Sequence, residues 1–170
     1  MVRNFSILIT LLSVFQFTIH NYAIASEQSK CRFIALKSNK TNIRNGPGFQ
    51  YKINWVYFVK LYPLQIVDRY ENWIKVRDHK QILGWVNKNL VLKRKVALVI
   101  GNQLVPKPFV KSNESVLFKY PDPSSFPLAR VEFGKVVSVK KCTQQWCLIV
   151  ADKTKGWMSK LNLWGIDCGE

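Results

Sequence analysis

The side chains best suited to chemistry in this chain are four cysteines, two histidines and a few clustered carboxylates. Cys31, Cys142, Cys147 and Cys168 could serve as a thiolate nucleophile, as metal ligands or as two disulfides. A nucleophilic thiolate needs a neighbouring base, and only His20 and His79 are present to act as one. A structural zinc site needs four Cys or His ligands, so CTQQWC (residues 142–147) beside so few histidines makes a poor half-site. Asp68 with Glu71 or Asp78 could form an acid–base pair, but all three flank a tight polar turn and read as solvated hairpin ends. The expectation is therefore no catalytic residue, no metal and no cofactor.

The compartment decides how the cysteines behave. Arg3 precedes the apolar run FSILITLLSVF, and Ala23, Ile24 and Ala25 place small residues where a signal peptidase reads them. Residues 1–25 read as a secretory signal cleaved after Ala25. The unbroken apolar run is shorter than the roughly 20 residues a membrane span needs, so no transmembrane segment is expected after processing. Lys30, Ser29 and Gln28 before Cys31 do not fit a lipid-attachment site. Removing the leader takes His20 with it and leaves all four cysteines in an oxidising, periplasmic or secreted setting, where an even count points to disulfides.

Hairpin geometry then pairs two of them. With Gln144 and Gln145 as the turn, Thr143 faces Trp146 as the hydrogen-bonded pair. Cys142 then faces Cys147 at a non-hydrogen-bonded position, where Cα atoms lie about 4.5 Å apart, inside the window of about 4.4 to 6.8 Å that a disulfide accepts. By elimination Cys31 pairs with Cys168, tying the start of the processed chain to its end. Oxidised in this way, the chain has no thiolate left to act as a nucleophile.

The elements that position these residues come in two copies. Residues 64–91 reach a tight turn, Trp73, and then Gly84, Trp85 and Val86; residues 136–163 repeat the pattern with Trp146, Gly156, Trp157 and Met158. Asn89 with Leu90 answers to Asn162 with Leu163. A period of roughly seventy residues is too long for a solenoid unit and suits two small domains in tandem. Alternation is plain in WIKVRD, where Ile74 and Val76 share one face and Lys75 and Arg77 the other, the mark of an antiparallel sheet with one side buried. No stretch keeps a helical period, although residues 87–90 could form one short helical turn. The expected fold is all-β, with two small tandem barrels after the leader: a first barrel over residues 26–95, a linker with one strand over 96–114, and a second barrel over 115–170. VALVI (residues 96–100) could close the first barrel or run across to the second. Gly84 is expected to let the backbone turn or a neighbouring ring approach closely, and Trp73, Trp85, Trp146 and Trp157 are expected to pack inside or across the barrels as core residues.

TNIRNGPGFQY, LQIVDRYENWIKVRD, the Gly-Trp triplets and CTQQWC together resemble the bacterial SH3-like domain family, in its alphaproteobacterial exported two-module form. Asn42, Arg44, Gly46, Pro47 and Gly48 match the opening motif, with Tyr51 at its aromatic position. The second module departs from that motif, since Val116, Phe118 and Tyr120 stand there instead. The resemblance implies SH3-like barrels of five to seven strands, no catalysis, and binding in the cell envelope to peptidoglycan or an envelope protein, with any ligand of that loop held by the first module alone.

The candidate ligand-binding residues are Arg44, Tyr51, Lys52, Trp55 and Tyr57. They lie at or just beyond the Gly-Pro-Gly loop, where an aromatic shelf beside two cations could hold a sugar ring or a peptide. Against that, Trp55 and Tyr57 share one strand face, and ordinary core is the stronger reading of the two.

Lys and Arg number 26 against 10 Asp and Glu, a formal net charge of +16, and of the cations only Arg3 lies in the leader. Such a balance favours anionic partners through steering and counterion release, and wall carboxylates, lipopolysaccharide phosphates and anionic lipids all qualify. Nucleic acid is not expected outside the cytoplasm. The same balance also follows from a Lys- and Asn-rich composition with a solvated surface. Lys93, Arg94 and Lys95 form the one tight basic run. A secreted effector or adhesin engaging host proteins or anionic surfaces is the alternative reading, and a cell-wall hydrolase ranks third.

Overall fold

The structure is a computed structural model that describes residues 33–101 and 113–166. The expected leader, the expected pairing of Cys31 with Cys168 and the Pro106-Lys107-Pro108 segment lie outside the described residues. Alternating burial and frequent turns give fourteen strands among the described residues and no α-helix. They form two seven-stranded antiparallel sheets, each curled into a small barrel.

The first sheet contains β1 (Phe33–Leu36), β2 (Thr41–Arg44), β3 (Ile53–Tyr57), β4 (Pro63–Tyr70), β5 (Trp73–Arg77), β6 (Leu83–Asn87) and β7 (Val91–Leu92). The second contains β8 (Val96–Val99), β9 (Glu114–Phe118), β10 (Pro127–Glu132), β11 (Val136–Cys142), β12 (Trp146–Ala151), β13 (Thr154–Ser159) and β14 (Leu163–Trp164). Their spatial orders, β3-β2-β6-β5-β4-β1-β7 and β10-β9-β13-β12-β11-β8-β14, are the same order seven strands apart. The duplication read from the tryptophans thus extends to every strand. VALVI settles on the second side: β8 pairs with β11 and β14 and opens the second barrel.

Finer irregularities repeat as well. Both long hairpins carry a register shift at the equivalent place, between Ile66 and Asp68 and between Val139 and Lys141. Each β6-like strand runs into a single 3-10 turn, Lys88–Leu90 or Lys160–Asn162, whose first free amide is capped by the Asn87 or Ser159 side chain. The expected helical turn at residues 87–90 is this one.

The Gly-Trp step places its residues differently from the sequence expectation. The glycines face inward: a Cβ on Gly84 would stand 2.3 Å from Ile43 Cγ2, and one on Gly156 would stand 2.7 Å from Leu117 Cγ and 2.9 Å from the Phe118 carbonyl. Because side chains alternate along a strand, the next residue faces the other way. Trp85 and Trp157 are accordingly half-buried on the outer face, while Val86 and Met158 fill the cores. Trp146 is half-buried too, and of the four only Trp73 is buried.

The barrels also pack on each other. Leu98 of β8 belongs to the first core, with Ile100, Val136 and Trp164 against it. Phe33 meets Trp164 edge-on with ring centroids 5.4 Å apart. Gly165, at φ +101°, lies where a Cβ would meet the Pro63 side chain at 2.5 Å, so the backbone at this glycine passes close against the first barrel.

Candidate functional site

The opening loop of the first barrel is built around Arg44. As the last residue of β2 it sits opposite Trp85, and its guanidinium donates to the carbonyls of Phe49 (3.0 Å) and Tyr51 (2.6 Å) while lying over the Phe49 ring at 5.6 Å. A guanidinium suits this work because it presents several donors in a fixed fork. Gly46 leaves room for the Tyr51 ring, which a Cβ would meet at 2.5 Å. Arg44 therefore fixes the loop from beneath. Lys52, beside it, is exposed.

The loop and the strand after it expose a row of apolar groups. Phe49 (70%), Tyr51 (43%), Ile53 (47%) and Trp55 (47%) remain open to solvent. They occupy every second position, and β3 is the outer strand of its sheet, although the register shift that pairs Trp55 with Ile43 and Ile53 with Arg44 interrupts the alternation between them. Asn54 donates to the Leu83 carbonyl and holds this edge to β6. Phe49 also packs edge-on against Trp73 at 5.0 Å. Isolated exposed apolar residues are ordinary, but several in a row on one edge mark an interaction surface.

Tyr57 does not join that row. It is buried, and its hydroxyl donates to Asp78 Oδ2 at 2.8 Å. Asp78, read from sequence as a solvated turn residue, is 2% exposed and accepts the Lys80 and Ile82 amides on its other oxygen. The carboxylate thus organises the β5–β6 turn and is no acid–base partner; Asp68 and Glu71 lie in solvent. Burial first, and then Asp78, pushes the Tyr57 and Tyr62 hydroxyls above the usual phenol range. Tyr62 also hydrogen-bonds His79 Nδ1, and burial lowers the imidazole pKa despite the nearby Asp78 charge. This group of four residues is internal packing of the first barrel.

The second barrel meets the same positions with other residues. Phe118, opposite Trp157, stands where Arg44 does and packs edge-on against Trp146 at 5.8 Å. Its loop is held by Asp122, which accepts from the Ser124 amide and hydroxyl, bonds that lower the Asp122 pKa. Tyr120, Phe126 and Leu128 are exposed there, so this loop also carries open apolar groups. On the outer strand, however, register sets Pro127 and Ala129 where the first barrel has Ile53 and Trp55.

Cys142 and Cys147 face each other across β11 and β12, with Cα atoms 4.0 Å apart, and form a disulfide. The Thr143 amide donates to the Trp146 carbonyl at 2.7 Å, so Gln144 and Gln145 form the turn in the expected register. In the first barrel Arg69 pairs with Ile74 at the corresponding place, around a turn that holds Glu71 at φ +47°. Among the described residues no group of three His, Cys, Asp or Glu could hold a metal ion. No helix among them is long and apolar enough to cross a membrane.

Two short-stranded barrels, each with a Gly-Trp step, a capped 3-10 turn and the same strand order, define a tandem SH3-type protein. The chain belongs to the bacterial SH3 domain family, whose model matches residues 37–93 and 111–165. No curated protein matches it. Among solved structures it is similar to NlpC2 from Trichomonas vaginalis, with 12% identity and a TM-score of 0.35 over 82% of this chain and 49% of that one. NlpC1 from the same organism gives 12%, 0.34, 82% and 47% in the same order. An NlpC/P60 family protein from Bacillus cereus gives 9%, 0.35, 78% and 56%. The chain spans about half the length of each, and likenesses this remote carry no argument about function.

The sequence singled out Tyr51, Trp55, Arg44 and Lys52, which the fold gathers at one loop and edge, and Tyr57, which it buries. Phe49 and Ile53 were missed. Their signal was present in FQYKINW, where every second residue from 49 to 55 is apolar.

Proposed function

We propose that this protein is an exported, non-catalytic binding protein of the bacterial cell envelope, of the alphaproteobacterial two-module type, that holds peptidoglycan or an envelope protein through its first barrel. The observation that carries this reading is the exposed row Phe49, Tyr51, Ile53 and Trp55 along the loop and outer strand. Membership of the bacterial SH3 domain family supports it, since such domains typically bind cell wall. Sugar rings and stem peptides both suit an aromatic shelf: a sugar stacks its apolar face on a ring, and an extended peptide can add to a free strand edge.

Arg44 acts here as a positioning residue that holds the Phe49 and Tyr51 carbonyls, while Lys52 offers an exposed charge for a stem carboxylate. Export removes residues 1–25 and leaves Cys31 free to pair with Cys168. The test is a pull-down of the processed protein with purified sacculi across a salt series. Retention at moderate salt, lost in Trp55→Ala, supports the reading; no retention even at low salt overturns a wall ligand.

A further inference from the structure

Between the barrels lies a cleft of about 920 Å³. Its apolar surface comes from both barrels: Phe33, Ile34, Ile66, Val96, Val139 and Ile166. Its cations come from separate stretches of the chain. The first barrel and its connection to the second give Arg69, Lys93, Arg94 and Lys95; the second barrel gives Lys140, Lys141 and Lys160. Adjacent strand residues ordinarily face opposite ways, and the register shift between Val139 and Lys141 lets Lys140 and Lys141 line the same space.

No carboxylate is among the described lining residues. The two ion pairs among the described residues, Arg130 with Glu114 and Lys135 with Asp152, involve none of these cations. Lys141 rests its ammonium over the Trp157 ring at 5.6 Å; the other six like charges around the opening repel one another, with no counter-charge among the described lining residues. An anion placed between them relieves that repulsion. Guanidinium groups at Arg69 and Arg94 suit oxygens presented in pairs or threes, and lysines act as point charges around them. Dense charge above an apolar floor fits a phosphate on an apolar body better than the spaced carboxylates of a stem peptide.

We infer that the inter-barrel cleft is a binding site for the phosphate headgroup of an anionic lipid, with the apolar floor taking the adjoining part of the acyl chain. The site is separate from the aromatic edge of the first barrel and does not depend on its function. It makes the KRK run part of a built surface that includes residues 65 positions away.

The test uses the full processed chain with phosphatidylcholine vesicles, with and without phosphatidic acid, in a sedimentation assay. Binding is expected only to the phosphatidate vesicles, and the variant Arg69→Gln, Arg94→Gln, Lys140→Gln should lose on the order of 100-fold in affinity. Removing the same charge elsewhere, with Lys119→Gln, Lys153→Gln, Lys155→Gln, should change it less than about threefold. All six positions are exposed, so folding is preserved and can be checked by unchanged thermal unfolding. Equal losses in both variants would mean a diffuse charge field and overturn the site. Binding of soluble inositol hexakisphosphate without binding to the vesicles would overturn a lipid ligand.

Discussion

The outer edge of the first barrel carries Ile53 and Trp55 where the second carries Pro127 and Ala129, although both edges pair in the same register with the same irregularity one step in. Tyr57 and Val131, two positions further on, are buried in both. The duplicated frame is therefore held by inward-facing positions, and the copies diverge where side chains face solvent. The loops diverge as well, one fixed by a guanidinium under two carbonyls and the other by an aspartate capping a serine. The hairpins diverge in closure, since only the second is bridged. The architecture uses Gly84 and Gly156 alike in both halves, whereas the outer strand carries its exposed aromatic, Trp55, in the first alone.

That comparison can be broken at several points. Gly84→Ala and Gly156→Ala should each destabilise their barrel by roughly 2 to 3 kcal/mol, because the added carbon collides with Ile43 or with Leu117 and the Phe118 carbonyl. Urea unfolding followed by tryptophan fluorescence measures this, and a neutral effect at either site would remove the common frame. Replacing both Cys142 and Cys147 by serine should cost the second barrel about 2 kcal/mol, since the closed loop is short, and leave amide exchange in the first unchanged. Tyr57→Phe should cost the first barrel about 1 to 2 kcal/mol by taking a donor from buried Asp78; Val131 has no hydroxyl to lose.

The smallest effect concerns pH. Partial burial holds the His79 pKa below its ordinary value of 6.5, so the unfolded chain binds the proton more readily than the folded one. Stability from this group is complete above 6.5 and falls as the pH drops toward the lowered value, and the melting temperature of the first barrel should show it. His79→Gln should flatten that slope.

Much of the frame was legible in the sequence because strand periodicity and the Gly-Trp spacing are local signals. The register of CTQQWC followed from turn length alone, and the Cys142–Cys147 bridge follows from that register. What escaped was the direction each residue faces. Trp85 and Trp157 looked like core residues by size, yet the space-making glycine before each takes the inward position and sends the ring outward. Asp78 looked solvated because it is charged and near a turn; its burial depends on Tyr57, distant in sequence. The cationic cleft draws on residues 69, 93 to 95, 140, 141 and 160, and no linear pattern joins them. The pairing of Cys31 with Cys168 remains a proposal, favoured by the Phe33–Trp164 contact that brings the flanking strands together; a peptide map without reductant should yield one peptide pair linked through them.

The division of labour between the barrels is tested most directly by titrating the isotope-labelled processed protein with soluble peptidoglycan fragments and following backbone amide shifts. The perturbations should gather on residues 49–55, with the aligned edge at residues 127–130 unmoved. Perturbations centred on the second barrel's edge, or none at all at saturating ligand, would contradict the assignment of binding to the first.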